Sequence, residues 1–231
     1  MYGFYFDRTY ILLIIGMLLS LAASAKLKST FAHYSRVRSV SGLTGAETAS
    51  RILRMAGITD VRIEPVSGSL TDHYDPRTKT VRLSEDIYGR TSLAAVGVAA
   101  HECGHAIQHA RNYAPLEIRS AIVPAANLGS TLSWPLFLIG LFAGIRPLLT
   151  AGIVLFSLAV LFQLVTLPVE INASSRALKM LETTGILGSD ENRGARKVLT
   201  AAALTYVAAL AASILQLLRL LILAGGRGSD D

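Results

Sequence analysis

The chain has 231 residues, of which 52% are hydrophobic and only 16% charged, with a formal charge of +6. Soluble domains carry nearer a quarter charged residues, so this balance argues against an ordinary soluble domain and for a membrane protein whose Lys and Arg gather beside the spans on the cytoplasmic side. No basic run is interleaved with aromatics and no nucleic-acid module is visible, so no nucleic-acid partner is expected; the single cysteine, Cys103, precludes an internal disulfide and suits a reducing compartment.

Thr9 to Ala25 is an uncharged apolar run about long enough to cross a bilayer as a helix. Arg8 before it and Ala23-Ser24-Ala25 at its end also suit a secretory signal peptide. Lys26, Lys28, Arg36 and Arg38 follow immediately and would hold that flank in the cytoplasm, which favours a retained anchor over residues 1–25 with its amino terminus outside.

Residues 26–122 form the expected cytoplasmic part. Thr44-Gly45-Ala46-Glu47 has the form of a capping box, and Ala49, Ile52, Leu53 and Ala56 follow at helical spacing, predicting a short amphipathic helix within Ser41 to Gly57. From Asp60 to Leu83 the pattern alternates, with Val61 and Ile63, then Val81 and Leu83, around turn chemistry at Asp75-Pro76; two or three short strands are expected.

Ser92 to Arg111 contains His101-Glu102-Cys103-Gly104-His105, the H-E-x-x-H pattern. Residues four apart on a helix lie one above the other, so both imidazoles can grip one metal ion with Glu102 beside them. Neutral imidazole binds Zn²⁺, an open coordination position holds water, and a neighbouring carboxylate takes its proton. The small apolar residues before His101 suit a helix buried behind such a site. Cys103 falls about 200° around the helix from His101 and reads as a small core residue.

Three further apolar stretches follow, roughly 123–145, 147–169 and 199–223, each long enough to span, with Arg146-Pro147 between the first two. The polar residues in them, Asn127, Ser130, Gln163, Thr166, Tyr206 and Gln216, suit contacts between helices, and Arg219 suits snorkelling from a helix end. The expected organisation is an anchor (1–25), the cytoplasmic part (26–122), a transmembrane hairpin (123–169), a second cytoplasmic segment (170–198) and a last span with its tail (199–231). Counting spans from a cytoplasmic Lys26 makes 170–198 cytoplasmic, which agrees with its bias towards Arg176, Lys179, Arg193, Arg196 and Lys197.

Hydrolytic zinc sites generally take a third protein ligand. His109 lies about 12 Å along the helix from His101 and cannot share an ion with both histidines, while a metzincin would need Gly and His where the chain has Gln108 and Arg111. Glu170, which the span count returns to the face holding His101 and His105, is the leading candidate; Glu117 is the runner-up. The donor for an oxyanion is left open among His73, Tyr74, Arg176 and Tyr206.

The stretches SGLTGAE, LTDHYDPRTKTVRLSED, AAHECGHAIQHA, YAPLEIRS, LPVEINAS and ARKVLTAAALTYVAA together resemble the YugP-type family of bacterial membrane zinc metallopeptidases along nearly the whole chain. The wider likeness is to membrane gluzincins such as the CAAX prenyl proteases, whose E-x-x-A-D pattern maps onto Glu170, Ala173 and Ser174. Ser174 departs from the Asp of that pattern, and a hydroxyl there is a weaker orienting group.

The resemblance implies a mainly α membrane protein with about four transmembrane helices and a small α+β zincin-like cytoplasmic part. It also implies one Zn²⁺ per chain held by His101, His105 and Glu170, Glu102 as general base, and a peptide or protein substrate reached from the cytoplasmic side of a bacterial cell membrane. A strand edge near Leu70 to Tyr74 or Lys79 to Leu83 is expected to align the substrate by main-chain hydrogen bonds, as in other gluzincins. Two other readings stand beside this one: an intramembrane metalloprotease, and a non-proteolytic scaffold braced by a structural zinc. The first is opposed by Arg90 and Arg111, which closely bound the apolar lead-in, and the second by the presence of Glu102.

Overall fold

The structure is a computed structural model that describes residues 8–225; the first seven residues of the anchor and the tail after 225 lie outside the described residues. It is mainly helical, with a small sheet, and the elements run α1 (Tyr10–Tyr34), α2 (Gly45–Met55), β1 (Arg62–Val66), β2 (His73–Asp75), β3 (Thr80–Ser84), α3 (Glu85–Tyr88), α4 (Leu93–Ala110), α5 (Ala114–Ala143), α6 (Arg146–Thr183) and α7 (Ser189–Gly225). The contacts divide the chain into two compact units. One takes the chain up to Ser24, Ile118–Leu167 and the chain from Thr205 onward, and the other takes Ala25–Glu117 and Pro168–Leu204.

The first unit holds the apolar lengths of α1, α5, α6 and α7, the four helices long and apolar enough to cross a membrane. Large hydrophobic side chains such as Ile11, Leu18, Leu21, Ile139, Val154 and Ile214 stay exposed on these helices, as lipid-facing positions do. Small residues let the helices close on one another. A Cβ on Gly152 of α6 would lie 2.8 Å from the backbone of Ser133 and Phe137 on α5, and one on Gly16 of α1 would lie 3.1 Å from Ala212 of α7. Phe137, Leu149 and Leu220 form a buried cluster here. Arg219, read from the sequence as snorkelling, is buried instead, its guanidinium 4.5 Å from the ring centroid of Tyr10.

The second unit is built on α4. The capping box of α2 forms as expected: the Thr44 hydroxyl accepts from Glu47 N–H and the Glu47 carboxylate accepts from Thr44 N–H. Its apolar face, Ala49, Ile52 and Leu53, packs with Val96, Ala99 and Cys103 of α4 and Val81 and Leu83 of β3 in one core. The sheet order is β1-β3-β2, with β1 parallel and β2 antiparallel to β3. The expected strands therefore form, but the stretch Lys79 to Leu83 is no edge, because β3 is paired on both sides. Alternating hydrophobicity shows which face is buried and is silent on which strands are neighbours. The outer strands are β1 and β2, so of the two expected stretches only Leu70 to Tyr74, which runs into β2, lies at an edge.

Two helices overrun the limits expected from composition. α1 continues past Lys26 to Tyr34, and α6 passes through Pro168 without ending, so residues 170–183 continue the helix that carries the third apolar stretch. Proline removes one backbone donor and disfavours a helix interior, yet the turns beyond it are anchored by the buried residues Ala173, Ala177 and Leu181. The chain reverses at Gly185, whose φ of +65° suits glycine, and α7 starts at Ser189.

Candidate metal centre

α4 starts at Ser92, whose hydroxyl accepts from Ala95 N–H, and its first turns are almost wholly buried small residues. Two turns on, the helix presents His101, Glu102 and His105 on the side that meets α6. Gly104 makes the meeting possible, since a Cβ there would sit 2.5 Å from the carbonyl oxygen of Ala173. The two backbones come close enough for residues on either side of Ala173 to reach the histidines.

Glu170 and Ser174 are those residues. The Glu170 carboxylate, 2% exposed, places Oε2 3.2 Å from His101 Nε2 and 3.5 Å from His105 Nε2, and one ligand atom from each of the three residues lies within 4.8 Å of the others. Neighbouring corners of a tetrahedral zinc shell with bonds of about 2.0–2.1 Å stand about 3.3–3.4 Å apart, and the two measured separations bracket that spacing. The donor set fits Zn²⁺, and so do the separations of Glu170 from the two histidines. Among the described residues no fourth His, Cys, Asp or Glu joins the group, which leaves room for a solvent ligand.

Each imidazole is held from its far side. His101 Nδ1 lies 3.1 Å from the Ser174 hydroxyl. His105 Nδ1 lies 3.0 Å from Gln108 Oε1, and here the hydrogen atoms can be assigned by following the chain of partners. Arg176 Nε donates to Asn172 Oδ1 at 2.7 Å, and Gln108 Nε2 donates to that same oxygen at 3.0 Å and to the Val169 carbonyl at 2.9 Å. With its amide nitrogen committed to two acceptors, Gln108 must offer its oxygen to His105. Nδ1 therefore carries a proton, which makes Nε2, on the Glu170 side, the nitrogen that would ligate a metal. Gln108 is fully buried. The sequence reading used it only to exclude a metzincin; the available signal was its place three residues after His105, on the same helical face.

Glu102 is 7% exposed. Burial raises its carboxyl above the ordinary range against the pull of His101 and His105, and the charges of Glu170 and Asp72 add to the rise. Asp72, not singled out from the sequence, accepts from the backbone N–H and hydroxyl of Ser84. Cys103 turns away into the core, its sulfur 3.6 Å from the Ala49 carbonyl.

The remaining residues considered from the sequence are placed as follows. His73 is exposed on β2, its Nδ1 donating to the Thr71 carbonyl at 2.8 Å. Tyr74 meets His109 Nδ1 at 2.8 Å through its hydroxyl, and burial pushes its phenol up to about 12. Arg176 is occupied by Asn172 and by the ring of Tyr113, 5.6 Å away. Glu117 is exposed in the first turn of α5 and is not part of the metal-ligating group. Tyr206 lies in the length of α7 that belongs to the other unit.

A chain with four helices long and apolar enough to cross a membrane, and an H-E-x-x-H helix met by a carboxylate from a later helix, is the class this fold and site define. The chain belongs to the family described as "Putative neutral zinc metallopeptidase", whose model matches residues 9–225. It is 51% identical over 223 residues to a Bacillus subtilis (strain 168) protein described as "Putative membrane protease YugP", which covers 96% of this chain and 99% of that relative. No solved structure matches it significantly.

Proposed function

We propose that the protein is a membrane-bound zinc endopeptidase of gluzincin type that cleaves peptide or protein substrates at the cytoplasmic face of the cell membrane. The observation that carries this reading is the convergence of His101, His105 and Glu170 beside Glu102, with each histidine braced from behind. The family and its Bacillus relative support it. The cytoplasmic assignment rests on Lys26, Lys28, Arg36 and Arg38 after the first span and on Arg193, Arg196 and Lys197 before the last.

In this reading His101, His105 and Glu170 hold the ion. Bound zinc supplies a Lewis acid and lowers the pKa of the water it carries. Glu102 accepts the proton of the attacking water through its carboxylate and returns it to the departing amine nitrogen, so the carboxylate is regenerated in each turnover. Ser174 and Gln108 orient the imidazoles, and Asn172 and Arg176 orient Gln108. The free edge of β2, His73–Asp75, offers backbone groups to an extended peptide. Tyr74 stands in that edge strand, with its hydroxyl engaged by His109 Nδ1.

The test pairs two variants of the purified full chain. Glu102→Gln is expected to keep stoichiometric zinc and lose roughly 10²–10⁴-fold in peptide hydrolysis, the usual scale for a general base. Glu170→Ala is expected to lose zinc itself. Full turnover by Glu102→Gln with zinc bound, or unchanged zinc affinity in Glu170→Ala, would refute the assignment.

A further inference from the structure

A basic cavity of the second unit, lined by none of the metal-centre residues, lies between the last turns of α1 and the early turns of α7. It encloses about 450 Å³ and brings Lys26 of α1 together with Arg196 and Lys197 of α7. None of the three cations has a carboxylate partner among the described residues. The nearest acidic side chains in sequence are engaged elsewhere: Asp190 pairs with Arg193 at 2.6 Å, and Glu191 accepts from Val40 N–H at 2.7 Å. Ser29, Thr30 and Thr200 line the same space, the Ser29 hydroxyl donating to the Lys26 carbonyl, and Ala201 and Leu204 form an apolar side.

The cavity is built into the packing. A Cβ on Gly194 would come within 2.9 Å of both the Tyr34 ring and Leu93, so glycine lets α7 seat the end of α1 against the start of α4. Phe31 and Tyr34 pack on the buried core of this unit, which holds Lys26 in register with Arg196 and Lys197.

We propose that this cavity binds the phosphodiester headgroup of an anionic phospholipid. The ligand chemistry follows from three cations without a carboxylate partner, gathered at one cavity beside an apolar side. The choice of lipid over free phosphate follows from position along both helices. Lys26 is the first charge after the uncharged run Thr9 to Ala25, and Lys197 is the last charge before the uncharged run that extends to Leu218. Both helices pass from apolar to basic at the cavity, which is the headgroup level for a spanning helix, and the Ala201 and Leu204 side continues in the direction of the apolar run, where an acyl chain starts.

The full chain, purified in detergent, is titrated with short-chain phosphatidylglycerol, with phosphatidylcholine of equal chain length, and with inorganic phosphate, and bound lipid is counted by native mass spectrometry. One phosphatidylglycerol per chain is expected, held at least tenfold more tightly than phosphatidylcholine and not displaced by millimolar phosphate. Lys26→Gln/Arg196→Gln/Lys197→Gln should weaken it by roughly 100-fold, given the usual contribution of each basic residue at an anionic surface. Lys28→Gln/Arg36→Gln/Arg38→Gln removes the same charge outside the cavity and should change binding less than twofold. Leu204→Trp, which narrows the apolar side of the cavity without touching a charge, should also weaken retention of the lipid at an unchanged melting temperature. Equal loss in the two triple variants, displacement by inorganic phosphate, equal binding of phosphatidylcholine, or no effect of Leu204→Trp would each overturn the proposal.

Discussion

Replacing Gly104 by Ala adds one methyl group at the point where α4 and α6 are closest. The new Cβ would lie 2.5 Å from the Ala173 carbonyl oxygen, 3.0 Å from its carbonyl carbon and 3.2 Å from its Cα. Carbon–oxygen contacts in proteins close at about 3.3–3.6 Å, so the helices must part locally by roughly 0.8 Å or more. Metal–ligand distances tolerate about 0.2 Å, and Glu170 and Ser174 both ride on α6, so the displacement is several times what the centre can absorb. The expected result is a loss of at least tenfold in zinc affinity and about 1–3 kcal/mol in stability, the usual cost of overpacking. Zinc affinity is read by competition with a chelator and stability by thermal melting. Because the clash is with backbone, Ala173→Gly should not rescue Gly104→Ala. Wild-type zinc affinity in Gly104→Ala, or rescue by Ala173→Gly, would refute the argument that this close approach sets the site.

Gln108→Leu keeps side-chain volume but removes the acceptor behind His105, and zinc affinity should fall by roughly 10–100-fold, as for other groups that orient a ligating histidine. Zinc affinity within twofold of wild type in Gln108→Leu would assign Gln108 a packing role only. Asp75 is held down to about 2 by the Thr78 hydroxyl, the Arg77 N–H and Arg82, against a usual value of 3.8. A depressed carboxyl stabilises the fold above its unfolded value and loses that contribution as pH falls towards the folded one. Melting temperature should therefore drop between pH 4 and 2 more steeply in the wild type than in Asp75→Asn, and parallel curves would contradict the assignment.

The H-E-x-x-H helix was legible because both of its requirements, helical spacing and residue chemistry, are local. Glu170 could be reached from the sequence because counting spans is also simple arithmetic. Gln108 was not reached, since its role depends on Val169, Asn172 and Arg176 arriving from 61 to 68 positions later in the chain. The continuity of α6 through Pro168 is not legible for a related reason: propensity favours a break there, and the burial of Ala173, Ala177 and Leu181 within the second unit overrides it. The strands were visible as alternation, but the central place of β3 depends on pairing with β1 across the hairpin, which no local pattern encodes.

Cys103 stands between two imidazoles in sequence, and thiolate is a stronger zinc ligand than either. The helical pitch puts its sulfur against the Ala49 carbonyl, and burial together with the charge of Glu102 pushes the thiol further up, so it stays protonated. The chain's single sulfhydryl is thereby shielded from the cation and from oxidants alike. An alkylating reagent can reach it only when α2 lifts from α4, which makes the rate of that modification a built-in clock for breathing of the helix pair behind the histidines.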